Sequence, residues 1–337
     1  MTLPGLSKVY VTKGLIVGAL TVAVVLPSAA LAADDSKAFK GSWQGPSHAS
    51  LPGPGPRPGQ SLDDYFTNLK TGPRHPARAH VLVLGGSAGF HHDSISTAMA
   101  AIYRWGQETG DWDAELRTDF DLINTGGGKP MNSGFQPKGL ADFDAIVIAG
   151  GEGNWALGPA QKAALLAFVR DRGKGLVVIH GGVAANRTWR DYVDMIGAEQ
   201  TGHPFNTLER VVRPFAIIKE DGSFPAVAGL PDRFVKQDEL YVVRNWNRDD
   251  INVLLRLDER TLDFRGIEDQ VPPDHDMPIA WSKKYGQGRV FASSLGHTRE
   301  SFFDPDIAEM YTQAIKWALR LSDGGIGPHA KPPVKFP

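Results

Sequence analysis

Cysteine is missing from this chain, which has none among its 337 residues. Disulfide bonds, thiolate metal sites and a cysteine nucleophile are therefore excluded. An excess of charge is missing as well, because 36 basic side chains face 38 acidic ones and the net charge is -2. Without a basic block, the sequence indicates no nucleic acid partner.

A long apolar run is present only near the start of the chain, and residues 1–32 have the pattern of a Sec-type signal peptide. Lys8 and Lys13 precede an apolar stretch over 14–27, which is too short to span a bilayer comfortably. A small-x-small cleavage motif ends at Ala32. We therefore expect a periplasmic or secreted protein with no stable membrane insertion after cleavage. The alternative is an uncleaved membrane anchor.

Composition divides the remaining chain into three parts. Residues 33–78 are rich in proline and glycine and are predicted to form an extended arm, because closely spaced prolines prevent regular hydrogen bonding. Residues 79–321 carry the apolar periodicity of a folded α/β domain. Residues 322–337 are again rich in glycine and proline and are predicted to be a disordered tail.

Apolar runs alternate with helical patterns through the first half of the domain. Strands are predicted at 81–84, 114–118, 144–149 and 175–179, and helices at 94–109, 159–172 and 189–196. The second half is richer in strands, at 210–219, 240–244, 253–257, 277–282 and 289–294, before a closing helix at 305–321. This order predicts a doubly wound, mostly parallel sheet with extra strands in the C-terminal half.

Four histidines follow apolar strands or lie in glycine or proline turns, namely His92, His180, His203 and His297. Histidine suits acid–base work and metal ligation near neutral pH, and open α/β sheets bind ligands beyond the carboxyl ends of their strands. The sequence therefore predicts one shared polar site. His180 is the strongest candidate, because it ends an apolar run directly before two glycines. Its alternative role is that of a buried histidine bonded to a backbone carbonyl.

Two carboxylates precede an apolar run that begins at Leu240, and we interpret Asp238 and Glu239 as a pair at the mouth of a strand. A solvated strand start is the alternative. We assign catalytic roles to His180, His203 and Glu239. The same two histidines are the candidate ligands of a divalent metal, zinc or a similar ion, assembled from distant segments.

Aromatic and glycine residues near these turns bear on the ligand. Trp155 and Trp281 are assigned with His92 and His297 to substrate binding, because an aromatic face can stack on a sugar ring. Core packing is the alternative role of the tryptophans. The glycines at 85, 86 and 89 lack the G-x-G-x-x-G spacing, so no nucleotide cofactor is expected.

Several segments together resemble the ThuA-like (trehalose utilisation) family. The matching segments are 89–95, 177–182, 201–204, 238–241 and 278–298, and they extend over about 80–320. The resemblance implies a flavodoxin-like fold of the class I glutamine amidotransferase type and a role in sugar metabolism. It equates His92 with the family's histidine, while His91 stands where the family has arginine. It also places the amidotransferase cysteine near His180. Because this chain has no cysteine, glutaminase activity is not expected.

The sequence thus predicts an exported ThuA-like protein that acts on a carbohydrate or keto-sugar derivative. The expected reaction is acid–base or metal-assisted lyase, isomerase or hydrolase chemistry. The expected partner is a small-molecule carbohydrate, and a homo-oligomer is compatible with the sequence. The alternative is a non-catalytic sugar-binding or interaction module on an amidotransferase-like fold. A structural domain with packed histidines is a third interpretation.

Overall fold

A nine-stranded sheet lies at the centre of the computed structural model, which describes residues 78–126, 138–203, 212–325 and 327–333. The strands are, in chain order, β1 (Ala79–Leu84), β2 (Trp112–Arg117), β3 (Ala145–Ala149), β4 (Gly175–Ile179), β5 (Glu199–Gly202), β6 (Val212–Lys219), β7 (Arg233–Glu239), β8 (Val242–Arg244), β9 (Asn252–Leu257), β10 (Pro278–Tyr285) and β11 (Gly288–Ser293). The helices are α1 (Ser94–Thr109), α2 (Pro159–Arg170), α3 (Arg190–Ile196), α4 (Pro225–Ala228) and α5 (Pro305–Ala318).

The sheet has a parallel half and an antiparallel half. Five strands in the order β2-β1-β3-β4-β11 pair in parallel, and β10, β9, β6 and β7 continue the sheet through antiparallel pairs. The four added strands all come from the second half of the chain, which confirms the prediction of extra C-terminal strands. β5 and β8 form a separate two-stranded sheet.

Side chains of the parallel strands alternate between two apolar layers. In β1, Val81 and Val83 belong to the layer that includes α1 and α5, whereas Leu82 and Leu84 belong to the layer that includes α2 and α3. Because successive side chains of a strand point to opposite faces, helices cover both faces of the sheet. The doubly wound architecture is therefore confirmed.

Local sequence explains where the main helices begin and end. α1 stops at Gly110, whose φ of 76° is in the left-handed region that ends helices readily with glycine. α2 begins with a proline, which has no amide hydrogen to lose in the first turn. The Asp304 side chain accepts hydrogen bonds from two amides at the start of α5.

Two strand predictions need correction. β7 is absent from the strands that the sequence predicts, and Asp238 and Glu239 are its last residues rather than the start of the next strand. The run predicted at 240–244 forms only β8, which pairs with β5 outside the central sheet. β7 is the last strand of the described sheet, and edge strands often carry charged residues. These residues hide the apolar pattern from which a strand is predicted.

The described part of the predicted tail makes hydrogen bonds with the domain. Arg289 donates to the carbonyl oxygen of Ser322, and the Asn252 amide donates to that of Gly325. His329 lies 3.0 Å from the carbonyl oxygen of Val253. The signal peptide and nearly all of the arm lie outside the described residues and stay predictions. Within the described part of the chain, no helix combines the length and apolarity needed to cross a membrane.

Candidate functional site

The neighbouring parallel strands β4 and β11 end side by side and bring His180 to the centre of the site. Ser293 pairs with Ile179, so the next residues, Ser294 and His180, also lie together. The His180 Nδ1–H donates to the carbonyl oxygen of Ser294 at 2.6 Å. This bond is the structural role considered for His180, and it also leaves the Nε2 lone pair free for a proton or a metal.

The turn after β4 is packed too tightly for side chains beyond His180. A Cβ on Gly181 would stand 2.3 Å from the carbonyl oxygen of Gly150, in the turn after β3. A Cβ on Gly182 would stand 2.8 Å from a methyl group of Val178. The two glycines therefore let the chain reverse directly over the sheet, which holds His180 fully buried beneath the turn.

Four titratable side chains meet at His180, and we call His92, His180, Glu239 and His297 the histidine–glutamate cluster. The Nε2 atom of His180 lies 3.2 Å from His92 Nε2 and 3.1 Å from His297 Nδ1. It also lies 3.3 Å from Glu239 Oε2, which is 2.9 Å from His297 Nδ1. The four ligand atoms all lie within 4.8 Å of one another.

A buried carboxylate fixes the loop that carries His297. Asp238 accepts hydrogen bonds from the backbone amides of Gly296 and His297 at 2.8 and 3.1 Å. It also accepts one from the Ser301 hydroxyl at 3.1 Å. Because Asp238 is next to Glu239 in β7, one short segment places one member of the cluster and anchors the loop of another.

Burial and mutual contact shift the pKa values of the cluster in different directions. Burial, reinforced by His180 and His297, lowers the pKa of His92 to about 3. For Glu239, burial acts upward, but hydrogen bonds from His180 and His297 outweigh it and lower the pKa to about 2. For His297, burial acts downward, but the bond to Glu239 raises the pKa above its usual value. The cluster thus holds an ionised carboxylate beside a neutral His92.

A cavity of about 220 Å³ opens onto the cluster. His92, Glu239 and His297 form part of its wall, and the remaining lining side chains are Phe90, Glu152, Gln200, His203 and Tyr241. The Tyr241 ring stacks on His180 with a centroid separation of 4.3 Å. Phe90 meets His92 edge to face at 4.8 Å and is 62% exposed, so an apolar face stands at a polar opening.

The site predicted from sequence is brought together only in part. His92, His180, Glu239 and His297 converge, whereas the proposed metal ligand His203 is outside the cluster and lines the cavity instead. The His203 ring lies 6.5 Å from that of Tyr241.

The tryptophans assigned to substrate binding belong to the core. Trp281 is fully buried, and its indole N–H donates to the carbonyl oxygen of Ile196. Trp155 is nearly fully buried and stacks on Phe120 with ring centroids 4.4 Å apart. Neither lines the cavity beside the cluster. Both tryptophans are close to a turn in the sequence, but this closeness does not show whether a side chain faces the core or the cavity.

Several cavity residues were not predicted from the sequence. Phe90, Tyr241 and Gln200 lie in or next to segments already singled out, and an aromatic within two residues of a candidate histidine or carboxylate was the available signal for the first two. Glu152 lies between two glycines in the turn after β3. Its only signal was the same one that singled out His180, a polar residue directly beyond a buried strand.

One sequence family covers most of the chain. The sequence model of the family described as "Trehalose utilisation" (ThuA) matches residues 80–318. This range contains every member of the histidine–glutamate cluster and every residue that lines its cavity. No curated protein sequence matches the chain.

Solved structures share its fold. A ThuA-like protein of Bacteroides uniformis ATCC 8492 is similar with a TM-score of 0.53 and 18% identity, over 72% of this chain and 92% of that one. A ThuA-like protein of Parabacteroides merdae ATCC 43184 gives a TM-score of 0.52 and 16% identity, over 77% and 95%. These similarities concern the fold alone, and they confirm the flavodoxin-like, class I glutamine amidotransferase-like architecture.

Proposed function

The chain belongs to the ThuA (trehalose utilisation) family, and on that premise we propose that its histidine–glutamate cluster is a divalent-metal centre acting on a carbohydrate derivative. The observation that carries the proposal is the convergence of four ligand atoms around His180 Nε2. That nitrogen has no proton when the imidazole is neutral, because Nδ1 donates to Ser294.

The distances from His180 Nε2 to its three neighbours match those between ligands of a small metal ion. Zinc bonds histidine nitrogen and carboxylate oxygen at roughly 2.0–2.2 Å, so two ligands of a tetrahedral ion lie about 3.3 Å apart. The contacts of His180 Nε2 with its three neighbours are 3.1–3.3 Å long. Three histidines and one glutamate are also a donor set that zinc and similar borderline ions accept.

The surroundings of the cluster supply what a metal site needs beyond its ligands. The Ser294 carbonyl orients His180, and Asp238 fixes the loop of His297. Glu239 holds a negative charge in a buried place, and the positive charge that would offset it there is an imidazolium or a metal ion. A neutral His92 is ready to act as a ligand without losing a proton.

The cavity favours a neutral sugar over a charged one. Its lining offers hydroxyl, amide, imidazole and carboxylate groups to sugar hydroxyls, and Phe90 offers an apolar ring face. Two carboxylates, Glu152 and Glu239, face the opening, and Arg187 is engaged with Gln200. A phosphorylated sugar would therefore meet negative charge.

The proposed chemistry is proton transfer on a keto sugar or a related derivative, as an elimination, isomerisation or hydrolysis. The metal would polarise a carbonyl or hydroxyl oxygen of the substrate. His203 and the two carboxylates are the groups of the cavity that could move protons. The Phe90 ring would orient the sugar at the opening.

Metal content, measured by plasma mass spectrometry, tests the proposal. Wild-type protein and His91→Ala should carry about one zinc, manganese or iron ion per chain, and His180→Ala should carry none. His91 is the matched control because it is exposed and stands next to His92 outside the cluster.

A wild-type protein that binds none of these metals at stoichiometry, even after metal loading, would refute the metal centre. Thermal-shift screening with trehalose and its 3-keto derivative would then distinguish a metal-free sugar site from a domain that binds no sugar. The sugar-binding module without turnover is the alternative function that such a result would favour.

We also propose that the protein is exported. This rests on the signal-peptide pattern of residues 1–32, which lie outside the described residues. The mass of the protein recovered from the periplasm or medium should be that of a chain beginning at Ala33. Recovery of the uncleaved chain with the cytoplasmic or membrane fraction would contradict export.

A further inference from the structure

Glu152 is a second carboxylate in the cavity, and the cluster does not use it. It follows β3 in a run of residues that reads Gly150, Gly151, Glu152, Gly153. Its side chain lines the same cavity as Glu239, His297 and His203.

The backbone of Glu152 is held by the neighbouring turn. Its carbonyl oxygen accepts hydrogen bonds from the amides of Ala88 and Gly89 at 2.8 and 3.1 Å. Its amide donates to the Ser87 hydroxyl, which in turn lies within hydrogen-bond distance of the Glu152 carbonyl. The side chain therefore leaves the backbone from a fixed point at the strand ends.

Close packing of the two turns adds to this rigidity. A Cβ on Gly151 would stand 2.0 Å from the carbonyl oxygen of Gly86, and one on Gly153 would stand 2.3 Å from the amide nitrogen of Gly89. The glycines on either side of Glu152 thus let the turn after β3 lie directly against the turn after β1. Ser87, Gly151 and Gly153 therefore all help to fix the position of the Glu152 backbone.

The described residues provide no structural partner for the carboxylate itself. Among residues 78–126, 138–203 and 212–325, no group forms a hydrogen bond or an ion pair with the Glu152 carboxylate oxygens. The other carboxylates near the site are engaged, because Glu239 contacts two histidines and Asp238 accepts several hydrogen bonds. A half-buried carboxylate on a fixed backbone, with no bond to the described residues, is available to a ligand.

Resting on the proposed function, we propose that Glu152 is the proton-transferring residue of the cavity. It accepts the proton released when a substrate hydroxyl, an acidic C–H group or a water ionises beside the cluster. The electron pair of the broken bond stays on the substrate or water. The proton returns from Glu152 to the departing oxygen in an elimination or hydrolysis, and to another atom of the substrate in an isomerisation. The cycle gains no electron and no proton overall.

The pKa shifts of Glu152 and Glu239 agree with different roles for the two carboxylates. Burial and the negative Glu239 raise the pKa of Glu152, although Arg187, His180 and His203 act in the opposite direction. Glu239, in contrast, stays ionised beside its histidines. Two carboxylates whose environments separate their pKa values are suited to different roles, one to hold charge and one to carry a proton.

Calorimetric binding of acetohydroxamic acid to the zinc-loaded protein tests the proposal without a substrate. A hydroxamic acid loses its O–H proton when it binds zinc as an anion. Titrations at pH 7.5 in buffers of different ionisation enthalpy count the protons that reach the buffer. In the wild type, Glu152 should take the proton, so the count should be near zero.

The variants Glu152→Gln and Glu152→Ala should each release about one proton per hydroxamate bound, with the zinc content unchanged. Glu268→Gln is the control, because Glu268 is an exposed glutamate that does not line the cavity, and it should match the wild type. An equal proton count in the wild type and in whichever Glu152 variant folds would overturn the role of Glu152.

Failure of the proposed function would look different. A wild-type protein that holds no zinc and binds no hydroxamate refutes the metal centre, and the role of Glu152 beside it falls with that centre. Zinc that binds normally in both Glu152 variants, together with unchanged proton release, refutes only Glu152.

Discussion

At one edge of the sheet, where β4, β7 and β11 end, four titratable side chains meet about 3 Å apart. They are three imidazoles and one carboxylate. At the opposite edge, where β6 ends, the buried Glu220 is held between two arginines. Its carboxylate lies 2.7 Å from Arg256 and 2.8 Å from Arg248, and Asp276 binds Arg248 from the other side at 2.7 Å. Both edges bury charge, but among the described residues the second edge compensates it with permanently charged guanidinium groups, whereas the first has only imidazoles to do so.

This difference separates a charge network that stabilises the fold from the proposed metal site. The Glu220 network alternates negative and positive groups, so each charge has an opposite neighbour and no ligand is needed. The histidine–glutamate cluster places three similar imidazoles around one carboxylate, an arrangement that the proposed metal ion would complete.

Breaking the compensated network should have the largest effect on folding. Glu220→Gln leaves two buried guanidinium groups short of a partner, and we expect a loss of about 3–5 kcal/mol in the free energy of unfolding. Urea denaturation measures this loss. The control Glu108→Gln removes an exposed pair with Arg104 and should cost less than about 0.5 kcal/mol. Equal losses in the two variants would remove the distinction drawn for the network.

Adding metal should stabilise the other edge. Zinc at a hundredfold excess over its dissociation constant should raise the free energy of unfolding by about 2.7 kcal/mol, because it binds the folded chain. Chelation should reverse the gain, as measured by thermal denaturation before and after treatment. His180→Ala should show no gain, whereas Glu220→Gln should keep it if the two edges act independently.

Weakening the support of His297 should affect stability and metal affinity together. In Asp238→Asn, one carboxylate oxygen becomes an amide NH2 that cannot accept, so either the bonds from Gly296 and Ser301 or the bond from His297 is lost. We expect a loss of about 1–3 kcal/mol in stability and a roughly 10–100-fold weaker zinc affinity. The exposed Asp263→Asn should change neither value. Unchanged zinc affinity in Asp238→Asn would show that the loop holds its position without this carboxylate.

Acid should destabilise the metal-free protein through His92. The unfolded chain takes up a proton below the ordinary pKa of 6.5, whereas folded His92 does so only near pH 3. The free energy of unfolding should therefore fall between these pH values, by about 1.4 kcal/mol per pH unit from this residue. His92→Gln should remove this contribution and His91→Gln should retain it. Identical pH profiles for the two variants would contradict the pKa assigned to His92.

Removing the ring at the opening should have the smallest effect on folding. Phe90 is largely exposed, so Phe90→Ala should change stability by less than about 0.5 kcal/mol. Affinity for a bound sugar, measured by calorimetry with trehalose or its 3-keto derivative, should weaken by about 0.5–1.5 kcal/mol. Phe303→Ala removes another exposed ring that does not line the cavity and should leave the affinity unchanged. A sugar affinity that survives in Phe90→Ala would assign that ring another role.

The fold was predictable wherever a local pattern was strong. α1 and β4 have the predicted bounds of 94–109 and 175–179, because an amphipathic repeat and a run of buried β-branched residues are local signals. β7 was missed because it is rich in charged residues, which an edge strand tolerates, and the place of a strand in the sheet is not recorded in its sequence. The short pairing of β8 with β5 was missed for the same reason.

Sequence alone determined that histidines would stand beyond the strand ends, since that follows from the position of His180 and His297 after apolar runs. Tertiary structure decided which of the side chains meet. Strand order placed β4 beside β11, loop geometry brought in His92 and Glu239, and the same packing turned Trp281 into the core and left Glu152 at the opening. The physical reason is that a site depends on distances across the sheet, whereas a sequence pattern reports only neighbours along the chain.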